Sequence, residues 1–246
     1  MRHIGIMGGT FNPPHLGHLT VAQCGLDQFK LDKVLFIPSG QPPHKSADLL
    51  DKELRFEMVA AAVADNPYFE ASRIEVDRPG VTWTIDTLKQ LQQKYGDYVR
   101  LNFIMGEDNI NVLKLYDKRT EFLSLCRLLV CPRVTADQQR IEQWKQILPE
   151  ADLEVIEFPP SGLSSTMVRS WVRKGRSIRY VVPAGAARII ADKGLYKVAA
   201  TTAPSGSGSQ PPAPTGATTV EKPASDPAPS GAASGPDADK PSGQAA

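Results

Sequence analysis

Over residues 1 to 198, short unbroken runs of aliphatic residues alternate with longer stretches whose apolar positions recur every three or four residues. Unbroken runs of four to eight suit strands buried on both faces, and the three-to-four spacing suits amphipathic helices. On this basis His3 to Met7, Val34 to Ile37, Leu101 to Met105, Leu128 to Cys131 and Leu153 to Phe158 are predicted strands, with another extended stretch at Phe69 to Val76. Helices are predicted at His15 to Phe29, Leu50 to Ala64, Thr84 to Lys94, Thr120 to Leu125 and Ala136 to Ile147. Two more, Ser164 to Lys174 and Pro183 to Lys193, close the series, with Gly194 where a helix stop belongs. The alternation predicts an α/β domain whose mainly parallel sheet is covered on both faces. Ligands of such sheets bind beyond the carboxyl ends of the strands.

Composition sets a boundary on that domain. Residues 199 to 246 are almost all Ala, Pro, Ser, Gly and Thr, with Val220 the only large aliphatic. Such a stretch buries too little apolar surface to offset its ordering entropy, so a disordered tail is expected after a single folded domain at 1 to 198. The whole chain has 28 Lys and Arg against 27 Asp and Glu. Without the charges of the tail, the folded part carries about +3, too little for a broad nucleic-acid or acidic-lipid surface. Any polyanion is therefore small and gripped locally. The longest wholly apolar run, Met58 to Ala64, is far short of a membrane span, and the first residues lack a signal-peptide pattern. Cys24, Cys126 and Cys131 form no CxxC pair. These features predict a cytoplasmic protein with reduced thiols and no membrane partner.

The chemistry concentrates in two places. The segment Gly8, Gly9, Thr10, Phe11, Asn12, Pro13, Pro14, His15, Leu16, Gly17, His18 joins the first strand to the first helix. Paired glycines permit close backbone approach, a helix N-terminus offers free N–H groups, and two imidazoles can add donors, which together suit an anion. The same glycines would also serve a plain tight turn. His15 and His18 have the spacing of a metal pair, but His3 and His44 stand in unrelated contexts and no third ligand is evident. The second place is Leu163, Ser164, Ser165, Thr166, Met167, Val168, Arg169, where hydroxyls open a helix and an arginine follows one turn later. Capping and anion binding are both open on these residues alone.

The eleven residues GGTFNPPHLGH resemble the HxGH signature of the nucleotidyltransferase superfamily, in the form found in nicotinate-nucleotide adenylyltransferases. SSTMVR resembles the ISSTxxR motif of the same superfamily, and GRSIRYVVPAGAARIIADKGLY resembles its C-terminal helices, so the likeness spans residues 1 to 198. The resemblance implies a Rossmann-like, doubly wound sheet and adenylyl transfer from ATP to nicotinate mononucleotide. It implies that His15 and His18 bind phosphates and stabilise charge on the α-phosphate, and that Ser165, Thr166 and Arg169 hold the β and γ phosphates. Gly8, Gly9, Thr10, Phe11 and Asn12 would line the nucleotide sites.

Between the motifs, Gln41, Pro42, Pro43, His44, Lys45 resembles the family's PPHK loop, whose lysine contacts phosphates. Thr82, Trp83, Thr84, Ile85, Asp86, Thr87 resembles its YTIDT helix start with Trp83 in place of tyrosine; Thr84 would meet the pyridine nucleotide, and Asp86 would cap. Gly106, Glu107 and Asp108 end a strand at the ligand crevice. Asp108 is expected to contact a ribose or a metal-bound water, with Mg²⁺ carried mainly by ATP phosphates. Tyr116 stands where the family usually has a stacking tryptophan, and Arg133 matches an arginine near its ATP site, although a solvated loop arginine reads equally well. An adenylyltransferase or cytidylyltransferase for nicotinamide mononucleotide or another phosphorylated metabolite, such as phosphopantetheine, is the competing enzyme class. NPPHLGH departs from the FDPxTxGH loop typical of the phosphopantetheine type. A catalytically silent nucleotide sensor is the competing non-enzyme.

Overall fold

A computed structural model describes residues 1–42, 48–159 and 161–197. The expected tail at 199 to 246 lies outside the described residues, as does Lys45. Six strands form one sheet in the order β3-β2-β1-β4-β5-β6: β1 Arg2–Gly9, β2 Lys33–Pro38, β3 Phe69–Ala71, β4 Val99–Gly106, β5 Arg127–Cys131 and β6 Leu153–Val155. Every pairing is parallel, and β1 lies between β2 and β4, so the strand order reverses at β1 and β4. That reversal opens a crevice at their carboxyl ends, the place where a doubly wound sheet receives a ligand.

Among the described residues, eight helices connect and cover these strands: α1 Leu16–Gln28, α2 Lys52–Val63, α3 Thr84–Tyr95, α4 Asp108–Lys114, α5 Arg119–Leu125, α6 Gln138–Ile147, α7 Ser165–Arg173 and α8 Ala184–Asp192. Alternate residues of each strand supply the two faces. Ile4, Ile6, Leu35 and Leu101 pack with Ile85, Leu88 and Leu91 of α3 on one side, while Met7, Val34 and Phe36 pack with Val21, Ala22 and Leu26 of α1 on the other. A third cluster joins α2 to α7 and α8 through Met58, Ala62, Val168, Val182, Ala186 and Ile190. Starts are set by side chains: the Asp51 carboxylate accepts from Glu53 N at 2.8 Å and Asp137 from Arg140 N at 2.9 Å.

Three expectations need correction. The extended stretch Phe69 to Val76 is a strand only to Ala71; beyond it the chain turns, with Asp77 N donating to Arg73 O, so that Glu75 and Val76 are buried through a turn and not through sheet pairing. The last strand ends at Val155, whose pairing with Val130 of β5 is the last in the register, and Ile156 N makes the final bond, to Val130 O. Helix α4 was not expected. Its seven residues are too short for an apolar period to be visible, and only Ile110 and Leu113 are buried.

Candidate active site

The crevice encloses about 810 Å³. Its wall includes Gly8, Gly9 and Thr10 from the end of β1, His15 and His18 from α1, Trp83 and Thr84 from α3, Gly106 and Asp108 after β4, Tyr116, Arg133 after β5, and Ser165 from α7. Residues from Gly8 to Ser165 therefore meet at one end of the sheet. Phe11, Asn12, Thr166 and Arg169 stand behind or beside this wall, not on it. A Cβ on Gly8 would meet only Phe103, at 3.9 Å, so glycine is not demanded there by packing against the protein. Bare backbone at that point leaves room for a ligand to approach.

The two imidazoles are stacked, 3.7 Å apart at 30°. His15 occupies the N-cap of α1 in extended conformation, and its backbone N–H donates to His18 Nδ1 at 3.1 Å. With Nδ1 an acceptor, the neutral His18 ring carries its proton on Nε2, a donor suited to a phosphate oxygen. The His18 ring also meets the edge of Phe11, 5.0 Å between centroids. His15 is buried and its Nδ1 has no partner among the described residues. Gly17 abuts one of the rings, where a Cβ would sit 3.0 Å from His15 Nδ1.

Burial pushes the His15 pKa down to about 4, and burial together with the neighbouring His15 pushes His18 down to about 3. Both rings are thus neutral at pH 7. Since the unfolded chain takes up these protons first, the pair's contribution to stability is complete above about pH 6.5. It is lost as pH falls towards about 4 and then about 3. Thermal melts of a His15→Gln/His18→Gln variant are expected to show a flatter fall of Tm from pH 6.5 to 4.5 than the parent. Parallel curves would contradict the assignment.

Helix α7 brings the second motif to the first. Ser164 caps α7, accepting from Met167 N at 3.2 Å, while Ser165 Oγ donates to Pro13 O at 2.8 Å and Arg169 Nη1 donates to Asn12 O at 2.9 Å. Arg169 also reaches Thr166 Oγ1 at 3.4 Å, and its Nε has no partner among the described residues. Asn12 is 3% exposed. Its side chain donates to Asp48 O and accepts from Leu50 N and from the Tyr196 hydroxyl, so it ties the first loop to the start of α2 and to the last turn of the domain.

The adjacent carboxylates after β4 divide their work. Glu107 turns inward and accepts from Arg133 N at 3.1 Å and Arg140 Nη2 at 2.9 Å. Asp108 stays at the mouth, paired with the exposed Arg133 guanidinium, which holds its carboxyl below the usual range. Among the described residues no group of three or more His, Cys, Asp or Glu side chains is arranged to hold a metal ion. Tyr116 is fixed edge-on to Phe122, 6.4 Å between centroids, and Trp83 is half exposed at the start of α3. Glu75 and Phe158 also line the crevice without having been singled out. Their neighbours carried no motif. Arg55 is different: a signal existed, because an arginine interrupts the apolar face that continues with Met58, Val59 and Ala62.

A cytidylyltransferase-like family model matches residues 6–171. The probable nicotinate-nucleotide adenylyltransferase of Moorella thermoacetica is 38% identical over 198 residues, spanning 79% of this chain and 91% of that protein. One of the same description from Thermoanaerobacter is 39% identical over 198 residues, spanning 79% and 94%. The solved structure of Plasmodium falciparum nicotinic acid mononucleotide adenylyltransferase complexed with NaAD shares the fold, with a TM-score of 0.66 at 18% identity over 80% of this chain and 98% of that one. No described helix is long and apolar enough to cross a membrane. With HxGH and SSTMVR placed at one crevice, and relatives aligned over nearly their whole length, the chain belongs to the cytidylyltransferase-like family, among the nicotinate-nucleotide adenylyltransferases.

Proposed function

We infer that this chain transfers the adenylyl group of ATP to nicotinate mononucleotide. A 5′-phosphate oxygen of the mononucleotide attacks the α-phosphorus of ATP, the bond from that phosphorus to the bridging oxygen breaks, and pyrophosphate leaves with the electron pair. The products are nicotinate adenine dinucleotide and pyrophosphate. The observation that carries this reading is the joining of the two anion motifs, Ser165 Oγ to Pro13 O at 2.8 Å and Arg169 to Asn12 O at 2.9 Å, across one crevice at the β1 and β4 ends.

A phosphate monoester is already a nucleophile, so alignment and charge stabilisation are what the protein must add. In this reading His18, through Nε2–H, and His15 serve the α-phosphate, and Ser165, Thr166 and Arg169 serve the β and γ phosphates. Lys45 adds charge on the mononucleotide side. Gly8, Gly9, Thr10, Gly106, Asp108 and Arg133 border ATP, with Phe11 packed behind them as part of the same site. Thr10, Phe11, Asn12, Trp83, Thr84, Asp108 and Tyr116 shape the pyridine-nucleotide side. Magnesium arrives on the triphosphate as part of the substrate. The exposed Asp108 suits an outer contact through water, and its pairing with Arg133 leaves the charge balance of the mouth near neutral. The work is assigned to the domain at residues 1–198, and unpaired cysteines support a cytoplasmic setting.

The test is turnover of the purified chain with Mg·ATP and either mononucleotide. Pyrophosphate and dinucleotide are expected to form with a higher kcat/KM for the acid than for the amide. A preference for the amide would overturn the substrate assignment, and no product from either would favour another phosphorylated acceptor.

A further inference from the structure

Glu107, at the junction of β4 and α4, is buried, is not on the crevice wall and has no part in the chemistry assigned above. Its main chain and its side chain both bond to one segment. The Glu107 N–H donates to Cys131 O at 3.0 Å, and Oε1 accepts from Arg133 N at 3.1 Å. Pro132, between them, has no N–H to give. Glu107 therefore holds both ends of Cys131, Pro132 and Arg133, three residues that line the crevice beyond β5. Sheet pairing no longer helps there, since the register of β5 with β4 ends at Cys131 and that with β6 at Val130.

The same oxygen carries a second bond. Arg140 Nη2, from α6, donates to Oε1 at 2.9 Å and lies 2.8 Å from Oε2, which accepts no hydrogen bond among the described residues. The Arg140 guanidinium is steadied in turn over the Trp144 ring, 5.6 Å from its centroid. A carboxylate anchored in this way offers Arg133 N a fixed acceptor. The consequence reaches the mouth of the crevice, where the exposed Arg133 guanidinium pairs with Asp108, the residue next to Glu107. An exposed arginine samples many rotamers, so a fixed backbone on which to carry it narrows where its charge can lie.

We propose that Glu107 is a positioning residue for ATP: without touching substrate, it holds the Arg133 backbone so that the Arg133 guanidinium meets ATP at the mouth of the crevice. This rests on the adenylyl-transfer reading, in which Arg133 borders ATP. Positioning and plain charge predict opposite signs. Removing a negative charge beside a site for a polyanion favours ATP, whereas releasing Arg133 weakens the hold on it.

Two substitutions separate these effects. Glu107→Asp keeps the charge but is one methylene too short for Arg133 N, and Glu107→Gln loses the charge but keeps, in its amide oxygen, an acceptor for it. The first is expected to raise Kd and KM for Mg·ATP at least about tenfold, with kcat and KM for nicotinate mononucleotide changed less than about twofold. The second is expected to stay within about threefold of the parent in all of these. In an Arg133→Ala background Glu107→Asp is expected to add nothing, since the guanidinium it acts through is gone. Parental ATP binding in Glu107→Asp, equal impairment in Glu107→Gln, or additive effects in the double variant would each overturn the proposal. Should Glu107→Asp not fold, the parent decides: its Arg133 amide proton is expected to resist exchange with solvent, and exchange as fast as in an open loop would overturn the proposal. Kd is read by calorimetry without turnover, so a parent that binds Mg·ATP and makes no dinucleotide fails the adenylyl-transfer reading, a separate result.

Discussion

Replacing His18 with alanine is expected to lower kcat by about two to three orders of magnitude while KM for ATP changes less than about tenfold, the size of effect seen when one preorganised donor to a developing charge is lost. The reason lies in the tautomer. His15 N–H occupies Nδ1 of His18, so the ring enters the reaction with a fixed Nε2–H and no need to reorient. Burial and the neighbouring His15 push its pKa down to about 3, so the ring meets the substrate neutral. A polyphosphate brought against the ring supplies the negative charge that makes protonation easier, so its hydrogen bond strengthens as charge builds on the transferring group. Contacts that strengthen only in the transition state appear in kcat. An unchanged kcat with raised KM would reassign His18 to substrate binding alone.

A large loss of stability is expected from Gly185→Ala. Helix α8 approaches α2 so closely that a Cβ on Gly185 would sit 2.4 Å from Ala61 O and 3.0 Å from Ala61 Cβ. The obstacle is backbone, which cannot swing aside as a side chain would. Overpacking of this kind costs about 2–3 kcal/mol, and in a domain of this size Tm is expected to fall by about 5–10 °C. Neither residue lines the crevice. Turnover well below the melting range should therefore stay close to that of the parent, and a variant with unchanged Tm would show that the helices separate at little cost.

The parts of the molecule that could be read from the sequence are those whose physics is local. The aliphatic runs at Val34 to Ile37 and Leu128 to Cys131 become central parallel strands because both faces must be covered. Ser164 caps α7 as a hydroxyl at a helix start should. What escaped depends on contacts between distant residues. The turn that buries Glu75 requires Thr87, twelve positions on, to donate to its carboxylate at 2.7 Å. The bonds of the Asn12 side chain to Asp48, Leu50 and Tyr196 likewise join residues far apart in the chain. Glu107 and Asp108, identical in chemistry and adjacent in sequence, face opposite ways because Arg140 and Arg133 come from a later loop and helix. Arg55 announced itself only as an oddity on an apolar face. Its meaning needed the carbonyls of Thr10, Gly40 and Leu50 around it.

The central claim is a direct displacement at the α-phosphorus by the mononucleotide phosphate. It is tested by incubating the full chain with nicotinate mononucleotide and ATP labelled at the α or the γ phosphate. The account predicts that the α label appears in nicotinate adenine dinucleotide, the γ label in pyrophosphate, and neither on the protein. An α label released as free AMP, or retained on the protein without reaching the dinucleotide, would contradict it.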